Sequence, residues 1–189
     1  HVLQLYFSYF KISLLFVFLM PRFLVSVNAQ SALIKELTIE DGIYYYKGDK
    51  FNGLGFLKNK KGQFIAEVSF KKGKMHGNRI CYNSRGRILS KDKFKSGKGR
   101  FKTYYSNAHI KSEGIVDNEI KVGLWKFYNA RGGVKAKEFW STNSLGFLMW
   151  EKYFNKLGGL ESEVIYEDGE VKIENYYDES GNLFKSNKY

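Results

Sequence analysis

The feature that most constrains this chain is an internal period. Gly62, Gly86, Ala108, Gly132, Gly158 and Gly181 fall at spacings of 24, 22, 24, 26 and 23 residues, and a fixed period in this range is the mark of a stacked-repeat architecture. The same residue types return around each of them. Two residues later stand Phe64, Ile88, Ile110, Val134, Leu160 and Leu183; four residues later come Ala66, Ser90, Ser112, Ala136 and Ser162, with Lys185 closing the column. Eight residues later come Phe70, Phe94, Val116, Trp140 and Tyr166, and four residues before each turn Lys58, Tyr82, Tyr104, Tyr128, Phe154 and Tyr177. Gly53, Gly77, Gly99 and Gly123 stand nine residues ahead of the first four turns.

Offsets of two, four and eight are even, and a strand alternates its side chains with period two, so these columns lie on one face of extended segments. Each unit therefore reads as a β-hairpin. Glycines in Lys72-Gly73-Lys74, Arg85-Gly86-Arg87 and Asp168-Gly169 supply the positive φ of tight turns. One hairpin alone is marginal in water, whereas stacked hairpins share a continuous aromatic column, with small residues at the fourth offset making room for neighbouring rings. The predicted fold is all-β: an elongated single sheet of about six antiparallel hairpin repeats. The one Cys excludes a disulfide framework, and 19 Gly without a three-residue period exclude collagen.

The first thirty residues break the pattern. They carry Lys11 and Arg22 as their charges and the apolar run Ile12 to Met20, followed by Val27-Asn28-Ala29. This is the grammar of a signal peptide, with cleavage expected after Ala29, so that residues 1–29 are a leader and residues 30–189 the repeat domain. Arg22 and Pro21 interrupt the run short of the roughly 20 residues a span requires, which argues against an uncleaved anchor. A buried first strand is the other alternative. Export to the periplasm, the cell surface or the medium follows from the leader.

No catalytic grammar appears. There is no metal-binding, nucleophile-elbow or phosphate-loop pattern, His76 and His109 read as solvated turn residues, and Cys81 reads as a small buried side chain. The expectation is a protein without enzymatic activity, cofactor, metal or small-molecule substrate.

One further reading rests on a resemblance. The segments Tyr104-Tyr105-Ser106-Asn107-Ala108-His109-Ile110-Lys111-Ser112-Glu113-Gly114 and Val122-Gly123-Leu124-Trp125-Lys126-Phe127-Tyr128 resemble the MORN-repeat variant of bacterial YwqK-type proteins, over about residues 43–189. The resemblance implies an elongated single-sheet stack of antiparallel hairpins. The family carries the label antitoxin-like, which is associational. Ala108 and Glu119 stand where the pattern has turn glycines, one unit is two residues short near Lys98-Gly99, and residues 141–147 insert extra length, so irregularity is expected there.

Charge is uneven along the repeats. Residues 41–116 hold 18 Lys+Arg against 5 Asp+Glu, while residues 117–189 hold 10 against 12. Lys71, Lys72, Lys74, Arg79, Arg85 and Arg87 are the candidate polyanion-binding residues; Lys58, Lys60 and Lys61 extend the basic half. Lysines on turns and edge strands also protect a sheet from edge-to-edge pairing, without any ligand. The leading expectation is a binding or scaffold module of the cell envelope for a protein, a glycan, another anionic polymer or an anionic membrane surface. The alternative is an antitoxin-like or nucleic-acid-binding protein, disfavoured because an exported protein rarely meets nucleic acid and because the aromatics are already used in packing. A hydrolase built on Glu161, Glu163, Glu167 and Asp168 is a further reading, but surface carboxylates at that density more often form a solvated face.

Overall fold

The computed structural model describes residues 30–143 and 146–189; the expected leader and its cleavage site lie outside them. The described residues form sixteen strands, of which β1 Gln30–Leu33, β2 Thr38–Glu40, β3 Ile43–Tyr46, β4 Asp49–Lys50, β5 Gly53–Lys58, β6 Phe64–Lys71, β7 Lys74–Tyr82 and β8 Ile88–Lys95 are the first eight. They are followed by β9 Lys98–Tyr104, β10 Ile110–Asp117, β11 Ile120–Tyr128, β12 Val134–Trp140, β13 Leu148–Phe154, β14 Leu160–Glu167, β15 Glu170–Tyr177 and β16 Leu183–Lys188. From β5 to β16 each strand pairs with its sequence neighbour in one sheet, and β1 joins its edge in parallel with β5. The six hairpins turn at the six positions that set the period. The fold is the elongated, single-sheet hairpin array expected.

Two kinds of turn alternate. Four of the turns between units, Lys72-Gly73, Ser96-Gly97, Asn118-Glu119 and Asp168-Gly169, are two-residue hairpins with positive φ at both centres, the geometry whose twist matches paired strands; between β12 and β13 the connection is longer, closed by the Ser141 N–H donating to the Phe147 carbonyl at 2.7 Å. The turns within units begin with a side-chain cap, except the third, where Tyr105 holds that place. The Asn83 carboxamide oxygen accepts from the backbone N–H of Arg85 at 2.9 Å and of Arg87 at 3.0 Å, and Asn59, Asn129 and Asn155 do the same for their own turns.

The expected face is buried at the fourth and eighth offsets, but not at the second, where Phe64, Ile88 and Leu183 are exposed. Ala66, Val68 and Phe70 on β6, Phe94 on β8, Ser112 and Val116 on β10 and Ala136 on β12 are all buried. Small and aromatic residues also alternate across the later strands, Phe127 lying opposite Ala136, Ala136 opposite Tyr153 and Ser162 opposite both Tyr153 and Tyr176. The aromatic column eight residues after the turn thins toward the end of the array: Trp140 only borders the core.

A segment outside the repeats completes the core. Ala32, Leu37, Tyr44 and Phe51, from β1 and the small sheet β2–β3–β4 with its flanks, pack on Val68, Phe70, Met75, Phe94, Val116 and Trp125. The Phe51 ring lies 5.3 Å from Phe70, and Tyr44 lies 4.8 Å from it. Burial of aromatic and aliphatic side chains at about 1.5–3 kcal/mol each is what holds this end together.

Candidate functional site

The six candidate basic residues are not brought to one place. Lys71 pairs with Lys74 across the Lys72-Gly73 turn, at one end of the strands. Arg85 and Arg87 lie in the Asn83 turn at the other end, and a strand of eight residues separates those ends by roughly 25 Å. Arg79 is only 6% exposed: its guanidinium lies 4.0 Å from the centroid of Phe101 and donates to the Lys102 carbonyl at 2.9 Å. It stands on the inward face, opposite Val68 and Asp92, so it is a packing residue of the interior. His76 is also placed differently from expectation. It lies within β7, and its Nδ1 accepts from the Ser96 N–H at 3.2 Å, which ties β7 to the next turn.

What the fold does assemble is a stack of turns. The Gly97 N–H donates to the Met75 carbonyl at 2.8 Å, the Asn118 N–H to the Gly97 carbonyl at 3.2 Å, and the Tyr44 N–H to the Gly73 carbonyl at 2.7 Å. Successive inter-unit turns therefore sit against one another, and Lys95 joins Lys71, Lys72 and Lys74 at this end. Lys98 is there too, paired with Asp117 at 3.3 Å. Lys71, Lys72 and Lys95 are exposed and Lys74 is half-buried.

A second basic feature crosses the outward face. Lys126 lies opposite Lys137, and Lys137 opposite Lys152, with Glu113 and Glu163 at the two ends of that row. Lys152 is paired with Glu163 at 2.8 Å. The parallel rings of Phe139 and Trp150, 5.7 Å apart, lie beside the row on the same face.

The carboxylates considered for hydrolysis do not form an acid/base pair here. Glu161, Glu167 and Asp168 are exposed, and Glu163 is held by Lys152, Asn175 and Tyr177. Burial pushes the Glu163 carboxyl up, but Lys152 and these hydrogen bonds outweigh it and leave it below its ordinary value. Among the described residues, no three His, Cys, Asp or Glu side chains are placed to hold a metal ion, and no helix is long and apolar enough to cross a membrane.

Two features escaped the sequence reading. The Asn or Asp three residues before the turn glycines, at Asn59, Asn83, Asn129, Asn155 and Asp178, recurs in every unit but the third and was readable. Trp125, 4% exposed, is a buried centre of the core, although it stands outside the even-offset columns.

No family model matches the chain, and no curated protein matches it. Among solved structures it is similar to S. aureus TarM in a mutant complex with fondaparinux, alpha-GlcNAc-glycerol and UDP, at 13% identity and a TM-score of 0.30, over 74% of this chain and 21% of that one. A GtfA/B complex is similar at 12% identity and a TM-score of 0.31, over 63% of this chain and 19% of that one. Another structure of TarM gives 14% identity and a TM-score of 0.30, over 73% and 21%. This chain thus spans about a fifth of each of those proteins, and likenesses of this degree bear on neither its activity nor its partners.

Proposed function

We propose that the chain is a non-enzymatic binding or scaffold module of the cell envelope that engages an anionic partner (a glycan, an acidic protein surface or an anionic membrane) through the basic end of its turn stack. The observation that carries this reading is the convergence of Lys71, Lys72, Lys74 and Lys95 on adjacent, hydrogen-bonded turns. Repetition supports it, because stacked units build broad surfaces. So does the resemblance to MORN-type repeats, as far as architecture goes.

Exposed charges are screened beyond about 8 Å at physiological ionic strength. Binding to an anionic glycan or to anionic vesicles is therefore expected to weaken steeply with salt and to be lost when the four lysines are replaced by Gln. Self-association of the Gln variant, with no saturable binding by the unaltered protein, is the outcome expected if these lysines only guard strand edges. That result overturns the proposal.

A further inference from the structure

Between the second and third hairpins the array departs from its own rule in two ways. The position five residues before each turn holds Leu57, Cys81, Thr103, Phe127, Tyr153 and Tyr176. In the last three units it is filled by a ring, but in the second and third by a thiol and a hydroxyl. Cys81 lies between Ala66 and Ser90, and Thr103 beside Ser112, so small residues follow one another across this stretch. In addition, β8 and β9 pair only at Phe94 with Gly99 and Lys95 with Lys98, then separate. This is the unit that is two residues short in sequence.

The outcome is a cleft of about 510 Å³, within the roughly 300–1,000 Å³ of small-molecule sites. Leu57, Ile65 and Leu89 give it apolar walls. Arg79, Lys102 and Lys61 also line it, and none of its lining residues is acidic. Asp92 is not among the lining residues; it stands opposite Arg79, 3.9 Å from the Lys102 ammonium, and accepts from the Ser90 hydroxyl, and Arg79 also acts on Glu119 in the turn after β10. Inside the cleft the fixed charge is positive.

We infer that this cleft is a binding site for a small organic anion: a molecule whose apolar body occupies the space left by the missing rings and whose carboxylate or comparable group meets Lys102 and Arg79, with Lys61 adding positive charge at the rim. A guanidinium already held in place by Phe101 and the Lys102 carbonyl loses little freedom when an anion arrives. The site is separate from the basic turns and stands whether or not they bind a polymer.

Cys81, the only cysteine of the chain and a lining residue, reports occupancy directly. Burial raises its thiol pKa, so alkylation of the full chain with iodoacetamide is followed under mildly alkaline conditions by intact mass. Phenylacetate and its neutral counterpart phenylacetamide are the probes. Phenylacetate is expected to slow alkylation saturably and phenylacetamide to require at least about tenfold more, the factor that 1.4 kcal/mol represents. Lys61→Glu, at the exposed rim, is expected to weaken phenylacetate by a similar factor without changing the melting temperature. Cys81→Tyr, which restores the ring of the later units, is expected to abolish phenylacetate binding measured by calorimetry. Equal protection by acid and amide overturns the inference, as does an unchanged affinity in Lys61→Glu or no protection up to about 10 mM of either probe, roughly tenfold beyond a millimolar site.

Discussion

The indole of Trp125 rests on the Cα of Gly114, so closely that any Cβ at that position would meet the ring carbons. The Trp125 Nε1 donates to the Ile115 carbonyl at 3.0 Å, fixing the ring there. Gly55 under Phe70 and Gly99 under Phe94 repeat the arrangement, each with an added Cβ 2.7 Å from the ring. Gly114→Ala is therefore expected to destabilise by about 1–3 kcal/mol through overpacking, and Trp125→Ala by about 3–5 kcal/mol. Urea melts check both. A loss below about 0.5 kcal/mol for Gly114→Ala, the range of surface changes, would show that the indole moves aside freely.

The columns four and eight residues after the turn were legible because side chains alternate along a strand, and they located Phe70, Phe94, Val116 and Ala136 on the buried face; the column two residues after it lies beyond register shifts at Leu57/Lys58 and Cys81/Tyr82, and Phe64 and Ile88 are exposed. Trp125 was not legible by the same rule. Gly123 takes a φ of +65° and the register shifts between β10 and β11, so Val122 and Trp125 are both buried although an odd number of residues apart; a bulge reverses the parity on which the reading depends. The cover supplied by Leu37, Tyr44 and Phe51 lies outside the repeat and left no periodic trace. Of the basic site, turn positions were readable for Lys71, Lys72 and Lys74. The burial of Arg79 and the arrival of Lys95 depend on how the turns stack, which no spacing encodes.

The capping column gives a test in two directions. Asn83→Ala removes the oxygen that satisfies two backbone N–H groups of its turn and is expected to cost about 1 kcal/mol. In the third turn Ala108 takes the place of glycine at a φ of +71°. Ala108→Gly should relieve that strain and stabilise by up to about 1 kcal/mol, read as a higher melting temperature; a lower one would mean that the turn is not strained.

Glu119 links the small N-terminal sheet to the repeats through its hydrogen bond with Tyr44. Burial raises its carboxyl above the ordinary 4.5, against the opposing effects of that bond and of Arg79. Burial, followed by the charge of Glu119, also pushes the Tyr44 hydroxyl up, so it remains a donor. A carboxyl that holds its proton more tightly when folded favours the fold while protonated, and that increment is lost as pH rises from the ordinary value through the raised one. Glu119→Gln stays neutral throughout. Its stability relative to the unaltered protein is expected to increase with pH across that window and then level off. A pH-independent difference in thermal melts would refute the assignment.

Lys137 stands between Lys126 and Lys152 on the outward face, each directly opposite it. Like charges in such pairs are destabilising, and opposite charges contribute about 0.2–1 kcal/mol per pair. Lys137 gains something in return, since its ammonium lies 4.9 Å from the centroid of Phe154, a contact worth about 0.5–1 kcal/mol at an exposed site. Replacing Lys137 by Glu forfeits that contact but creates an attractive pair with Lys126 and another with Lys152, whose present partner is Glu163. Two repulsions removed and two attractions gained outweigh one exposed cation–π contact. Lys137→Glu is therefore expected to stabilise the protein by up to about 1 kcal/mol at low ionic strength, with the gain shrinking as added salt screens exposed charges. Urea melts of the two proteins over a salt series measure the difference; a loss of stability at low salt would show that the Phe154 contact governs this position.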